Sequence, residues 1–463
     1  MRLFSSLYSR LNRVETNQTT KNRTSNSKTP LQNNPSLLEN IKTNTPITNH
    51  LNVIQTSSKI INAERFSNLI SSLRNLTNKF NTAIQTTLPN ISINAYPSKS
   101  YMEKALELVA PKVSDTPLKS IDFEGLKQDI GKIENDIIDF LNSDSELEDI
   151  DFFNHSSTQN LGKIKTLKTE TETYALKMFE MNNIDFVIDA FKEAFINKYL
   201  NQELSSEALT PYYGVSISKD KNTLCLVNQL VEGERLSHKE DMTNAEKLTI
   251  GSTLINSIFQ MHKIGICHLD IKPDNVIVDK STSHSMVIDY GNSHLNINKI
   301  ISLNVSEADL LGSIGYIAPE ILNATENPEQ QELYDTSQKH YLNDSFQLGA
   351  TLFEFYFNKK LDWVEQDDLS FAVTDKNKEI IKKEIEILEK EIKHMEIENN
   401  RHSNSDRTAR PSPKPKPYNY SLLYKKGLLD IYHIISKLIE NNPSERLLVR
   451  DIQQHDKSEM IIA

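Results

Sequence analysis

The segment Gly265–Gly291, GICHLDIKPDNVIVDKSTSHSMVIDYG, sets two short apolar runs, Asn275–Val278 and Met286–Ile288, around the polar stretch Asp279–Ser285. Two such runs around a polar turn predict a tight β-hairpin. Asp270 stands just before the first strand and Asp289 just after the second, with Lys272 and Asn275 between them. A hairpin brings its open ends together, so these four groups converge on one small volume. Asn275 and Asp289 offer the hard oxygen ligands that suit Mg²⁺, an ion that keeps waters or phosphates as its other ligands. Asp270 is left over to orient a hydroxyl, and Lys272 can neutralise charge on a moving phosphoryl group. The set fits phosphoryl transfer.

The same stretch resembles the catalytic and magnesium loops of eukaryotic-type protein kinases. His268-Leu269-Asp270 stands where that family has His-Arg-Asp, Lys272 and Asn275 keep the family spacing, and Asp289-Tyr290-Gly291 matches Asp-Phe-Gly. An isolated Asp-Tyr-Gly is usually just a turn. The joint pattern of His268, Asp270, Lys272, Pro273, Asn275, Asp289 and Gly291 at fixed spacing is far more specific. The resemblance implies an α+β, bilobal protein-kinase-like fold with a small β-rich N-lobe and a large helical C-lobe. It also implies ATP with Mg²⁺ (Mn²⁺ as the alternative ion) and a protein substrate.

A chain of 463 residues predicts two or three domains. The net charge of −11 gives no nucleic-acid footprint. Cys225 and Cys267 cannot build a disulfide framework or a metal-ligand spacing, and both sit in apolar runs. They read as buried thiols in a reducing, cytoplasmic compartment. No apolar run approaches bilayer-spanning length, and no secretory core is visible.

Residues 1–60 are rich in Asn, Thr and Ser and hold only two acids, Glu15 and Glu39. That composition predicts a disordered leader. Within it, Leu3, Phe4, Leu7, Tyr8 and Leu11 share a helical face ringed by Arg2, Arg10 and Arg13, which suits a frayed tail, a leader peptide or a surface-seeking helix. Such a leader on a eukaryotic-type kinase looks like that of a bacterial effector secreted into host cytoplasm. From 61 to 148 the pattern turns helical: Phe66, Leu69, Ile70, Leu73, Leu76, Phe80 and Ile84 recur at three and four, Tyr101–Val109 forms a second helix, and Ile121–Leu141 a third. This helical extension reads as a spacer, or as a site for a regulatory or host partner. The acidic run Ser143–Asp151 marks a boundary.

The resemblance places a kinase domain at 149–456, with an N-lobe at 149–231, a C-lobe at 232–456 and a tail at 457–463. Ser157 to Ile164 lies where the family has its glycine-rich phosphate loop, and only Gly162 survives of the three glycines. Ser157 and Gln159 hold such a loop further from phosphate, which predicts low ATP affinity. Thr173–Glu180 reads as a strand carrying Ala175 and Lys177 in the family's Ala-x-Lys pattern, which makes Lys177 the α/β-phosphate ligand. The following helix, about Asp185–Leu200, offers Glu193 as its partner, favoured over Asp189 by its longer arm and the apolar pattern that follows. By resemblance, Asn228 is the gatekeeper, Gln229–Val231 present backbone to adenine, Ile164 and Ala175 roof the purine and Ile277 floors it. Ser313 and Glu320 belong to an activation segment ending Gly312-Ser-Ile-Gly-Tyr-Ile-Ala-Pro-Glu320, where the Ser313 hydroxyl can bridge Asp270 and Lys272. These features go with Ser/Thr substrates. Asp344 braces the catalytic loop from below, and Arg446 pairs with Glu320.

Leu269 departs from the family's arginine and cannot grip a phosphate, which predicts control by something other than activation-segment phosphorylation. A helical and linker insert occupies 375–417. Ile381, Ile385, Leu388, Ile392 and Met395 form a coiled-coil seam within Lys376–Glu398, suited to a solvated helix on the C-lobe or to docking and self-association, and Asn399–Pro417 reads as a flexible basic linker. The expected function is a Ser/Thr protein kinase. The rivals are a pseudokinase-type ATP-binding scaffold and a nucleotidyl or small-molecule phosphotransferase on the same fold.

Overall fold

The computed structural model describes residues 45–89, 96–113, 121–143, 152–153, 158–161, 164–170, 172–204, 209–297, 301–304, 312–326, 336–366, 370–405 and 418–452. The arginine-flanked leader face at 2–13 and the acidic run at 144–151 lie outside them. Three helices come first: α1 (Thr45–Thr87), α2 (Lys99–Val113) and α3 (Phe123–Asn142). Helix α1 begins at Thr45, inside the 1–60 stretch read from composition as a leader. Extending an existing helix needs one hydrogen bond per residue and no new nucleus, so weak helix formers suffice.

A five-stranded antiparallel sheet follows: β1 (Thr158–Leu161), β2 (Ile164–Lys168), β3 (Thr173–Glu180), β4 (Tyr212–Ile217) and β5 (Thr223–Gln229), in the order β1-β2-β3-β5-β4. Helix α4 (Ile184–Glu203) sits between β3 and β4 in the chain, with Asn183 accepting from the Asp185 N–H at its start. Strand β3 alternates. Tyr174 and Leu176 pack with Phe152, Leu167, Cys225 and Val227 on one face. Ala175 and Lys177 therefore face the other side, where the β3–β5 register sets Ala175 against Asn228 and Lys177 against Leu226.

The helical half begins with β6 (Gly233–Arg235) and α5 (Asn244–Lys263), whose first turn is closed by a reciprocal Thr243–Glu246 capping box. Then come β7 (Ile266–Cys267), β8 (Val276–Asp279) and β9 (Ser285–Val287). Strands β8 and β9 pair as the antiparallel hairpin read from the sequence, and β6 pairs with β8. Strand β10 (His294–Ile297) pairs with both β7 and β11 (Ile301–Asn304). The rest comprises α6 (Pro319–Glu326), α7 (Thr336–Phe357), the β12 (Trp363–Glu365) and β13 (Phe371–Val373) ribbon, α8 (Asp375–Ser405) and α9 (Tyr418–Leu438).

Helix α8 runs to Ser405, so the linker expected from Asn399 starts later. Its seam is used within the chain: Ile381, Leu388 and Ile392 are buried, and α8 packs on α9. Lys378 pairs with Glu440 at 2.6 Å and Glu396 with Lys426 at 2.6 Å, so the two helices run antiparallel. An apolar stripe looks the same whether its partner lies in the same chain or another, which is why spacing alone left both readings open.

Arg446 reaches Glu320 through two parallel bonds, Nη1 to Oε1 at 2.5 Å and Nη2 to Oε2 at 2.8 Å, tying the start of α6 to the segment after α9. Both side chains are buried. Arg446→Ala leaves the Glu320 carboxylate without its cation, and stability falls by about 3–5 kcal/mol. Urea unfolding of the two proteins checks this; a loss below about 1 kcal/mol means the pair is not buried as described.

Candidate active site

The catalytic loop is held by helix α7. A polar run on that helix, Asn343, Asp344, Ser345 and Gln347, is fully buried, where an amphipathic pattern calls for apolar side chains. Asp344 accepts the backbone N–H of His268 and of Leu269, each at 2.7 Å, and the His262 Nε2 proton at 2.9 Å. Gln347 accepts the Ile271 N–H at 2.8 Å and donates to the Leu269 carbonyl at 3.1 Å. Thr351 donates to the Ile271 carbonyl at 3.2 Å. The loop's buried backbone groups are satisfied by side chains some 75–80 residues downstream.

That grip holds an unfavourable backbone. Leu269 has φ +64° and Asp289 φ +68°, in the left-handed region that β-carbon residues avoid. Such positions persist only where the surroundings over-determine them, and both of Leu269's backbone polar groups are engaged. Gly312 closes against the same spot with φ +127°, and a β-carbon there would sit 2.3 Å from Gln347 Nε2. His268 fixes the hairpin's other end. Its Nδ1 accepts the Asp270 N–H at 3.2 Å, so Nε2 carries the proton donated to the Ile288 carbonyl at 3.1 Å.

These constraints bring Asp270, Lys272, Asn275 and Ser313 together. Ser313 Oγ donates to Asp270 Oδ1 at 2.7 Å, and Lys272 Nζ reaches Asp270 Oδ2 and Ser313 Oγ at 2.7 Å each. Asn275 Nδ2 donates to the Asp270 carbonyl and to Oδ2, both at 2.9 Å. Both partners are acceptors, which assigns the amide's orientation and turns Oδ1 away from Asp270.

Lys177 Nζ lies 2.7 and 2.9 Å from the Glu193 oxygens and 2.7 Å from Asp289 Oδ1. Asp189 instead approaches Lys192, at 4.0 Å. Burial works against the Lys177 charge, but Glu193 and Asp289 outweigh it and hold the ammonium above its usual range. Burial pushes the Glu193 carboxyl up, only partly offset by Lys177. At Asp289 burial also pushes upward, yet Lys177 wins and the carboxyl lies below the usual range. Asp289 keeps about half its side-chain surface exposed, at 49%. Gly291 closes the corner: a β-carbon there would be 3.4 Å from both Asp289 Oδ1 and Glu193 Oε2.

Around this centre, Ile164 pairs with Lys177 across β2 and β3, and Ala175 with Asn228 across β3 and β5. Asn228 Oδ1 is buried without a hydrogen-bond partner among the described residues. The Gln229 N–H donates to the Pro211 carbonyl and the Leu230 N–H to the Thr173 carbonyl, which fixes the chain entering Val231. Ile277, on β8, is half-buried. Ser157 and Gly162 lie outside the described residues, and Gln159 is placed on β1 by its backbone alone.

His262, Gln347 and Thr351 escaped the sequence reading. A polar residue on an amphipathic helix usually faces water, and spacing carries no mark of one that faces a strained loop. Asp289 and Asn275 supply the oxygen donors that a hard divalent cation takes, and no soft ligand stands among the groups at this centre.

The family model for the protein kinase domain matches residues 160–457. Curated relatives include a probable myosin light chain kinase of Dictyostelium discoideum, 32% identical over 24% of this chain and 34% of its own length. A putative serine/threonine-protein kinase of Mycoplasma pneumoniae is 27% identical over 31% of this chain and 39% of its own length. Myosin light chain kinase A of Dictyostelium discoideum is 26% identical over 26% of this chain and 41% of its own length. The chain thus covers well under half of each of these relatives. Among the described residues no helix is long and apolar enough to cross a membrane. With most of the chain inside the matched span, and with Lys177 held between the helix-borne Glu193 and Asp289, the chain belongs to the eukaryotic-type protein kinase family.

Proposed function

We propose that this chain is a serine/threonine protein kinase that moves the γ-phosphoryl group of ATP to a protein hydroxyl. The observation that carries the reading is the contact of Lys177 Nζ with Asp289 Oδ1 at 2.7 Å. It sets the strand-borne cation beside the hairpin carboxylate, and His268, bonded to the Ile288 carbonyl, ties that turn to the loop of Asp270. Lys177, held by Glu193, binds the α/β-phosphates. Ile164 and Ala175 roof the purine over Ile277, and the Gln229–Val231 backbone meets its edge. Asp289 and Asn275 would hold Mg²⁺. When bound, such an ion neutralises charge on the triphosphate.

Asp270 is oriented before substrate arrives. A carboxylate offers about four lone-pair directions, and Ser313, Lys272 and Asn275 occupy three of them, one on Oδ1 and two on Oδ2. The remaining direction, on Oδ1, accepts the substrate hydroxyl. The hydroxyl oxygen forms its bond to the γ-phosphorus as the bond to the β–γ bridging oxygen breaks, and its proton goes to Asp270. Lys272 steadies the γ-phosphoryl charge. Positioning and fixed charges supply most of the acceleration. The Ser313 bridge favours a serine or threonine acceptor.

Leu269 is buried against Cys267 and Tyr341, with Leu448 packed beside them. Leu269 itself offers no cation for a phosphate, and the neighbouring Arg450 guanidinium is stacked over the Tyr341 ring at 4.7 Å, so on this reading activity does not depend on phosphorylation of the activation segment. Purified protein with labelled ATP and Mg²⁺ transfers label to itself or to a test protein, and mass analysis finds added phosphate rather than AMP. Asp270→Ala lowers the rate by about 10²–10⁴ while the thermal midpoint stays near wild type. Lys177→Ala also abolishes transfer. Full activity in Asp270→Ala refutes the assigned role. Ser302→Ala and Ser306→Ala each retain activity within about twofold; a collapse in either one shows that the activation segment is phosphate-controlled after all.

A further inference from the structure

Helix α4 carries Glu193, and it is buried on every side. From Val187 to Leu200 all residues but Asp189 are buried, including Lys192, Asn197 and Lys198. A helix buried all round is enclosed by two layers. Strands β3, β4 and β5 cover one side, and α1 and α3 of the extension cover the other.

The contact on the extension side is aromatic. Phe66 of α1 stacks on Phe195 with centroids 4.3 Å apart and planes 9° apart. Phe140 of α3 closes the group, 6.0 Å from Phe195 and 5.8 Å from Phe66. Phe195 follows Glu193 by two residues, which on a helix places them on roughly opposite faces. Phe66 therefore bears on the back of the helix whose front presents Glu193 to Lys177. Polar contacts fix the ends: Arg74 Nη2 meets Asp185 Oδ1 at 3.1 Å, and Lys198 Nζ meets Ser143 Oγ at 3.1 Å. The extension is also anchored to the sheet. Asn142 exchanges two hydrogen bonds with the Val215 backbone on β4, at 2.9 and 3.0 Å. Buried Glu134 pairs with Lys221 and accepts from Tyr96.

We propose that the N-terminal helical extension is a built-in clamp that holds Glu193 on Lys177, with Phe66 as a positioning residue acting through Phe195. It takes the place of a second protein or of a phosphate on the activation segment. The inference rests on the kinase reading above.

The test is a double-mutant cycle in the full chain, with wild type, Phe66→Ala, Glu193→Gln and the double variant assayed for kcat and for KM. Phe66→Ala lowers kcat roughly tenfold or more and leaves the protein-substrate KM unchanged, but costs less than roughly twofold when Glu193 is already Gln. Amide exchange across Ile184–Glu203 speeds up, while that of Thr336–Phe357 does not change. Equal fold-losses in both backgrounds overturn the clamp, as does an unchanged kcat in folded Phe66→Ala. If Phe66→Ala shows no cooperative unfolding, Phe66→Leu goes through the same cycle with the same two outcomes. An inactive wild type sinks the kinase reading instead; exchange then decides, and unchanged exchange in α4 sinks the clamp.

Discussion

One ammonium group shared by two carboxylates joins the parts of this molecule that have to meet. Lys177 lies on β3, Glu193 on α4 and Asp289 on the turn after β9, and Lys177 touches both carboxylates. Each charge is tolerable only because of the others. Burial raises the Glu193 carboxyl and works against the lysine's charge, and their mutual attraction opposes both effects. Removing the lysine strands the buried Glu193 carboxylate, a penalty of several kcal/mol.

The second constraint is the left-handed backbone at Leu269 and Asp289. Neither is glycine, so each resists its conformation. The buried carboxylate of Asp344 and the amide of Gln347 oppose that resistance from α7. The polar stripe of α7 thus trades apolar burial for a fixed loop. On the proposed reading this sets the Asp270 carboxylate in place before any substrate binds, so little reorganisation remains for the reactive step.

What the sequence made legible follows from how local each feature is. The hairpin, the strand of Lys177 and the spacing of Asp270, Lys272, Asn275 and Asp289 lie within short windows, and their pattern survives without three-dimensional context. Helix existence was legible from periodicity at Phe66–Ile84 and at Ile381–Met395, but the partner of each apolar stripe was not. Burying a stripe gains the same free energy against α9, against α4 or against another molecule. His262, Gln347 and Thr351 stayed silent because their work is done on backbone groups far away in sequence.

Leu269 connects these observations. Where a charge would let a phosphate tie the activation segment to the catalytic loop, this chain buries a leucine against Cys267 and Tyr341. A phosphate contact can be made and removed, whereas an apolar cluster forms once, with the fold. The extension has the same character: Phe66, Phe140 and Phe195 pack as core, not as a weak docking surface. Helix α1 also touches β11, within the activation segment, as well as α4. One element of the chain thus abuts both parts that a charge switch otherwise has to align. On the proposed reading, the geometry around Glu193 is reached by folding of the chain itself.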